Sequence, residues 1–105
     1  MIQFLNFFKI GNHDRHRIGS KVGSDLIDGM NALVTLLPGT SVTYYGEEIG
    51  MLDNTDITYE EGLDPLGCNY PPEEFASRTR DFERTPMQWD SSTNAGEFFK
   101  LQRGR

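Results

Sequence analysis

The chain predicts an α/β fold with parallel strand pairing, and three observations carry that expectation. A short aromatic-rich run, Phe4, Leu5, Phe7, Phe8 and Ile10, stops at Gly11. A segment of helical period follows over residues 21–37. A β-prone run, Ser41-Val42-Thr43-Tyr44-Tyr45, then closes on Gly46. Strand, helix, short loop and strand make a βαβ unit, which implies parallel strands and a right-handed crossover. The loops that follow the two strands then open on the same sheet edge, where α/β folds bind their ligands.

Each element has a local cause. The first apolar run is bounded by a turn residue and suits a strand covered on both faces. It lacks a basic flank and a small-residue cleavage site, so it does not read as a signal peptide. It is also too short to cross a bilayer. The polar stretch 12–20 carries His13 and His16 with Arg15 and Arg17. In the helical segment, Val22, Leu26, Ile27, Met30, Leu33, Val34 and Leu37 fall three to five residues apart, drawing one apolar stripe along about 25 Å. Pro38-Gly39 ends it, because proline cannot continue the hydrogen-bond ladder and disfavours helical geometry before itself. Beyond Met51 the pattern turns irregular. Residues 53–74 are acidic and rich in turn formers, with Asp64-Pro65, Gly67 and Pro71-Pro72, and a loop of that length is commonly functional. A short helix is expected over 75–84, followed by an extended aromatic stretch, Arg84-Thr85-Pro86-Met87-Gln88-Trp89-Asp90. Residues 96–105 show no completed element.

Composition bounds the function. At 105 residues, 36% hydrophobic and 25% charged, the chain supports one small ordered domain. Its net charge of −6 is spread along the sequence, which makes nucleic acid a poor partner. Cys68 is the sole cysteine, so neither an internal disulfide nor a thiolate cluster can form, and a partly buried free thiol is expected. His13 and His16 share one loop without further spaced ligands of the kind zinc uses. No metal or cofactor site is therefore expected.

The tetrapeptide Gly11-Asn12-His13-Asp14 places an imidazole and a carboxylate at the end of the first strand. Adjacent parallel strands lie about 4.8 Å apart, which brings Asp14 near Glu47-Glu48. Two carboxyls at one sheet edge could form an acid/base pair of the glycosidase kind. Alternatively, Glu47-Glu48 caps the turn after the strand, since neighbouring glutamates cannot both aim into one site. His13-Asp14 could equally be a loop histidine beside a solvated aspartate.

Gly11-Asn12-His13-Asp14, then Leu36-Leu37-Pro38-Gly39, then Thr43-Tyr44-Tyr45-Gly46-Glu47-Glu48-Ile49-Gly50-Met51 resemble the α-amylase superfamily, glycoside hydrolase family thirteen. Asp64-Pro65-Leu66-Gly67-Cys68-Asn69, Arg80-Asp81 and Arg84-Thr85-Pro86-Met87-Gln88-Trp89-Asp90 are similar to its α-glucosidase and maltase branch, especially insect maltases. The resemblance spans roughly residues 8–96, with several linked motifs in order. It implies that residues 1–105 are a partial catalytic domain: the seventh strand, seventh helix and eighth strand of a (β/α)₈ TIM barrel, with the excursion that follows. It further implies a transition-state-stabilising carboxylate at Asp14, a sugar-binding histidine at His13 and a substrate-contacting arginine at Arg80. In the family pattern a serine usually stands where Thr79 precedes Arg80. Glu47 and Glu48 match a structural turn, which sets aside the carboxylate pair.

No residue here matches the family's nucleophilic aspartate or its acid/base glutamate. A retaining mechanism needs both, so the chain alone is expected to be inactive. Lys9 stands where the family strand is apolar, and Glu97 interrupts the usual Ala-Gly-Phe continuation. The implied activity of the whole enzyme is hydrolysis of terminal α-1,4-linked glucose from maltose-like or sucrose-like substrates, without a cofactor. Any calcium site, and the loops that set linkage, belong to other parts of the barrel. Family members of this type are secreted or anchored outside the cell. A second reading, a non-catalytic amino-acid transporter heavy chain of the same fold, shares much of the Tyr-Tyr-Gly-Glu-Glu-Ile-Gly-Met motif. A third is a decayed paralogue. Arg80-Asp81 and residues 64–69 favour the maltase branch.

Overall fold

A computed structural model of the chain describes residues 6–90. Strand β1, Phe7–Phe8, pairs in parallel with β2, Thr40–Ser41, in the register Phe7 to Thr40 and Phe8 to Ser41. The Thr40 amide donates to the Asn6 carbonyl at 2.9 Å and the Val42 amide to the Phe8 carbonyl at 2.8 Å. The expected parallel pairing is present, although both strands are shorter than the sequence suggested. Tyr44 and Tyr45 leave the ladder for a local reason. The Tyr44 amide donates to Glu47 Oε2 at 2.8 Å, and both rings lie 5.0 Å from the Arg17 guanidinium.

The crossover is not one helix over 21–37. Helix α1, Ile18–Val22, stops at Gly23, whose φ of +97° no side-chain-bearing residue adopts cheaply. A single 3₁₀ turn, Ser24–Leu26, leads into α2, Ile27–Leu36. The seven-position stripe is therefore divided. Ile27 and Val34 are buried, whereas Val22, Leu26 and Leu33 are exposed. The helix ends as expected, with Leu37 extended at φ −66° and ψ 142° ahead of Pro38. After β2, Gly46 and Gly50 at φ +86° and +70° bracket a 3₁₀ turn, Glu47–Ile49.

The turn-rich segment holds more structure than its composition implied. Helix α3, Pro65–Cys68, is capped by the Asp64 side chain, which accepts from the Leu66 amide at 3.3 Å. Helix α4, Pro72–Arg78, begins with proline in its first turn, ahead of the expected 75–84 span. Residues 84–89 carry no regular element. Residues 96–105, and the start of the first apolar run, lie outside the described residues.

Two apolar groups hold these parts. Ile18, Ile27 and Met51 are buried on the crossover side, where Gly19 lies close against Ile27 and Leu52. Phe75 and Phe82 form the other group, with Tyr59, Phe75 and Phe82 packed edge-to-face at 5.7 and 6.1 Å. No helix among the described residues is long and apolar enough to cross a membrane.

Candidate active site

Asp14 is set by a local turn. Its amide donates to Asn12 Oδ1 at 2.8 Å, and the Arg15 amide reaches the Asn12 carbonyl at 3.3 Å. The side chain thus projects at the sheet edge beyond β1. Its Oδ1 accepts from Arg80 Nη1 at 2.8 Å and from Arg84 Nη2 at 2.9 Å. Its Oδ2 lies 3.3 Å from His13 Nε2. Arg84 Nε also donates to the His13 carbonyl at 2.7 Å, which fastens the His13-Asp14 loop from below. The structure brings His13, Asp14 and Arg80 together through the two oxygens of Asp14.

Arg80 is aimed by Asp64. The guanidinium donates through Nε to Oδ2 at 2.9 Å and through Nη2 to Oδ1 at 2.6 Å, a bidentate pair. The Arg80 amide adds a bond to Oδ2 at 2.8 Å. The Asp64 side chain is fully buried while capping α3. Asp81 reinforces this loop: its Oδ2 accepts from the amides of Leu63 and Asp64 and from Thr79 Oγ1, at 2.9, 3.0 and 2.9 Å.

The electrostatics follow from these contacts. Hydrogen bonding from Arg80 holds the Asp64 carboxyl well below the usual carboxylate range, outweighing its burial. The same pair raises the Arg80 pKa. At Asp14, desolvation pulls upward, but His13, Arg80 and Arg84 together leave its pKa lowered. Asp14 and Asp64 are therefore anions at neutral pH, with the Arg80 cation between them. Asp14 Oδ1 is occupied by both arginines, which leaves Oδ2 and the exposed His13 ring facing solvent. An ionised oxygen beside an imidazole can hold vicinal hydroxyls and stabilise adjacent positive charge.

Glu47 takes no part in a carboxylate pair. It is buried, accepts from the Tyr44 amide and sits behind Gly11, where a Cβ would meet its carboxylate. Burial raises its pKa. Glu48 is exposed on the same turn.

The sequence reading passed over three residues. Arg84 opens the motif over residues 84–90, but no role was assigned to its side chain. Arg17 is buried, donates through Nη1 to the Tyr45 carbonyl at 2.7 Å and lies against both tyrosine rings. Asp64 sat in the motif without an assigned partner. A separate group, His16, Asp53 and Glu83, gathers potential metal ligands 30 to 67 positions apart in sequence, too far for spacing to reveal.

Comparison with known proteins gives a consistent context. Residues 2–102 match the family described as Alpha amylase, catalytic domain. The salivary alpha-glucosidase of Aedes aegypti is 49% identical over 87 residues, covering 83% of this chain and 15% of that protein. Maltase 1 of Drosophila virilis is 45% identical over 87 residues, with 83% and 14% covered. An amino acid transporter heavy chain of Rattus norvegicus is 40% identical over 87 residues, with 83% and 11% covered. Among solved structures, trehalose-6-phosphate hydrolase of Bacillus licheniformis superposes with a TM-score of 0.68 at 28% identity, covering 88% of this chain and 20% of that one. The chain thus spans about 15% of the length of the glucosidases it matches.

Proposed function

The chain belongs to the alpha-amylase catalytic-domain family of glycoside hydrolases, as a fragment of a (β/α)₈ barrel, and on that premise we propose that residues 1–105 supply one wall of the sugar pocket of an α-glucosidase. In this reading β1, the crossover helices and β2 are the seventh strand, seventh helix and eighth strand, and residues 51–90 belong to the excursion after them. Asp14 is the catalytic carboxylate that stabilises the oxocarbenium-like transition state. His13 and Arg80 bind substrate hydroxyls, and the substrate is a maltose-like or sucrose-like sugar ending in α-1,4-linked glucose.

One observation carries the reading. Arg80, held bidentately by buried Asp64, and Arg84, held by the His13 carbonyl, converge on one oxygen of Asp14 and leave the other open beside His13. Such a carboxylate is pre-positioned, and its field acts strongly once a substrate excludes water. A retaining mechanism also requires a nucleophile and an acid/base residue, for which no residue here is a match, so the isolated chain is inactive.

The test is a pair of assays. The 105-residue chain alone is expected to release no glucose from maltose. A chimera in which residues 6–90 replace the matching segment of the Aedes aegypti salivary alpha-glucosidase is expected to release it. Hydrolysis by the isolated chain, or a folded but inactive chimera, would contradict the proposal. The transporter heavy-chain reading draws on the 40% identity to the rat protein and is the weaker one. It leaves the assembled Asp14, Arg80 and His13 site without a purpose.

A further inference from the structure

His16, Asp53 and Glu83 come from three separate segments: the loop after β1, the stretch beyond the Gly50 turn, and the turn that follows Asp81. Their ligating atoms all lie within 4.8 Å of one another. His16 Nδ1 is 2.8 Å from Asp53 Oδ2 and 3.8 Å from Glu83 Oε2. Ligands of a tetrahedral ion with bonds of about 2.0–2.1 Å sit roughly 3.3 Å apart, and these two separations bracket that value.

The supporting contacts orient the donors. Asp53 Oδ1 accepts the Arg17 amide at 2.8 Å, and the Asp53 amide donates to Ser20 Oγ at 2.8 Å. That leaves Oδ2 as the atom turned toward the group, the outer-contact arrangement usual around metal ligands. Glu83 is only 2% exposed, and its buried Oε2 receives no hydrogen bond. An unsatisfied buried carboxylate oxygen is costly, and burial raises the Glu83 pKa. His16 is 56% exposed on its side chain, so the group has an entry path from solvent.

We propose that His16 Nδ1, Asp53 Oδ2 and Glu83 Oε2 form a binding site for a divalent transition-metal ion of the Zn²⁺ type, with water in the fourth position. The imidazole nitrogen favours such an ion over Ca²⁺ or Mg²⁺, which prefer oxygen donors. Two carboxylates offset the ion's charge, and the unsatisfied Glu83 oxygen gains a partner. The ion would also clamp two segments of the candidate active site. His16 lies two residues after Asp14, and Glu83 immediately precedes Arg84.

Cobalt(II) serves as an optical probe, because low-coordinate Co²⁺ absorbs far more strongly in the visible than the hydrated ion. The 105-residue chain is titrated with Co²⁺, and Zn²⁺ is then added in competition. The expected result is an intense visible band that saturates at one equivalent and is abolished by one equivalent of Zn²⁺. His16→Asn and Glu83→Gln should each weaken binding at least about tenfold, whereas His13→Asn should retain the band. A second readout is the melting temperature, which Zn²⁺ should raise in the parent chain and leave unmoved in His16→Asn. The proposal is overturned if no saturable band forms, if the band survives both substitutions, or if His13→Asn removes it equally.

Discussion

At the scale of single residues, the site is a charge network in which each member fixes the next. Asp64 locks Arg80, Arg80 and Arg84 grip Asp14, and Arg84 holds the His13 backbone. Asp64 is the keystone because it is buried and charged. Replacing it by asparagine removes the bidentate anion of Arg80 and leaves Asp14 as the carboxylate still paired with that guanidinium. Asp64→Asn in the chimera is therefore expected to lower the urea midpoint. The sign of its pH dependence is fixed by the direction of the shift. A carboxyl whose folded pKa is depressed stabilises the fold above its unfolded value, near pH 4, and loses that contribution as pH falls toward the folded value. Unfolding measured from pH 6 downward should show this acid limb in the parent and a flatter one in Asp64→Asn. Arg84→Ala removes the contacts to both Asp14 and His13, so a higher KM for maltose in the chimera is expected.

At the scale of elements, glycines and prolines decide where regular structure stops. Gly46 combines a positive φ with close approach to Met51 and Arg17. Gly46→Ala in the chimera should cost about 2 kcal/mol from left-handed backbone and overpacking together, visible as a lower melting temperature. The parallel pairing and the end of the crossover at Leu37 were legible in the sequence, because β-prone runs and Pro38 act locally. The break at Gly23 was not. An unbroken spacing of apolar residues suggested one helix, whereas a single glycine at φ +97° divided it. The linked motifs singled out His13, Asp14 and Arg80 one by one, and the contacts between them are seen only in the structure. Asp64 as the partner of Arg80, and the Glu83 approach to His16, depend on long-range packing that no local pattern encodes.

At the scale of the whole molecule, the apolar surface is only partly covered. The radius of gyration is 16.2 Å, against about 13 Å for a compact domain of this length. On α2, Leu33 is 51% and Leu36 82% exposed, and Leu63 and Trp89 are 78% and 72% exposed. Faces of this kind pack against other barrel elements in a (β/α)₈ fold. The isolated chain should therefore self-associate, and sedimentation velocity should show species larger than a monomer that Leu33→Lys with Leu36→Glu reduces. The central claim concerns Asp14, and steady-state kinetics of Asp14→Asn in the Aedes aegypti chimera test it most directly. Loss of a carboxylate that acts in the transition state should lower kcat by about 10²-fold or more with a much smaller rise in KM. An unchanged kcat would contradict the account.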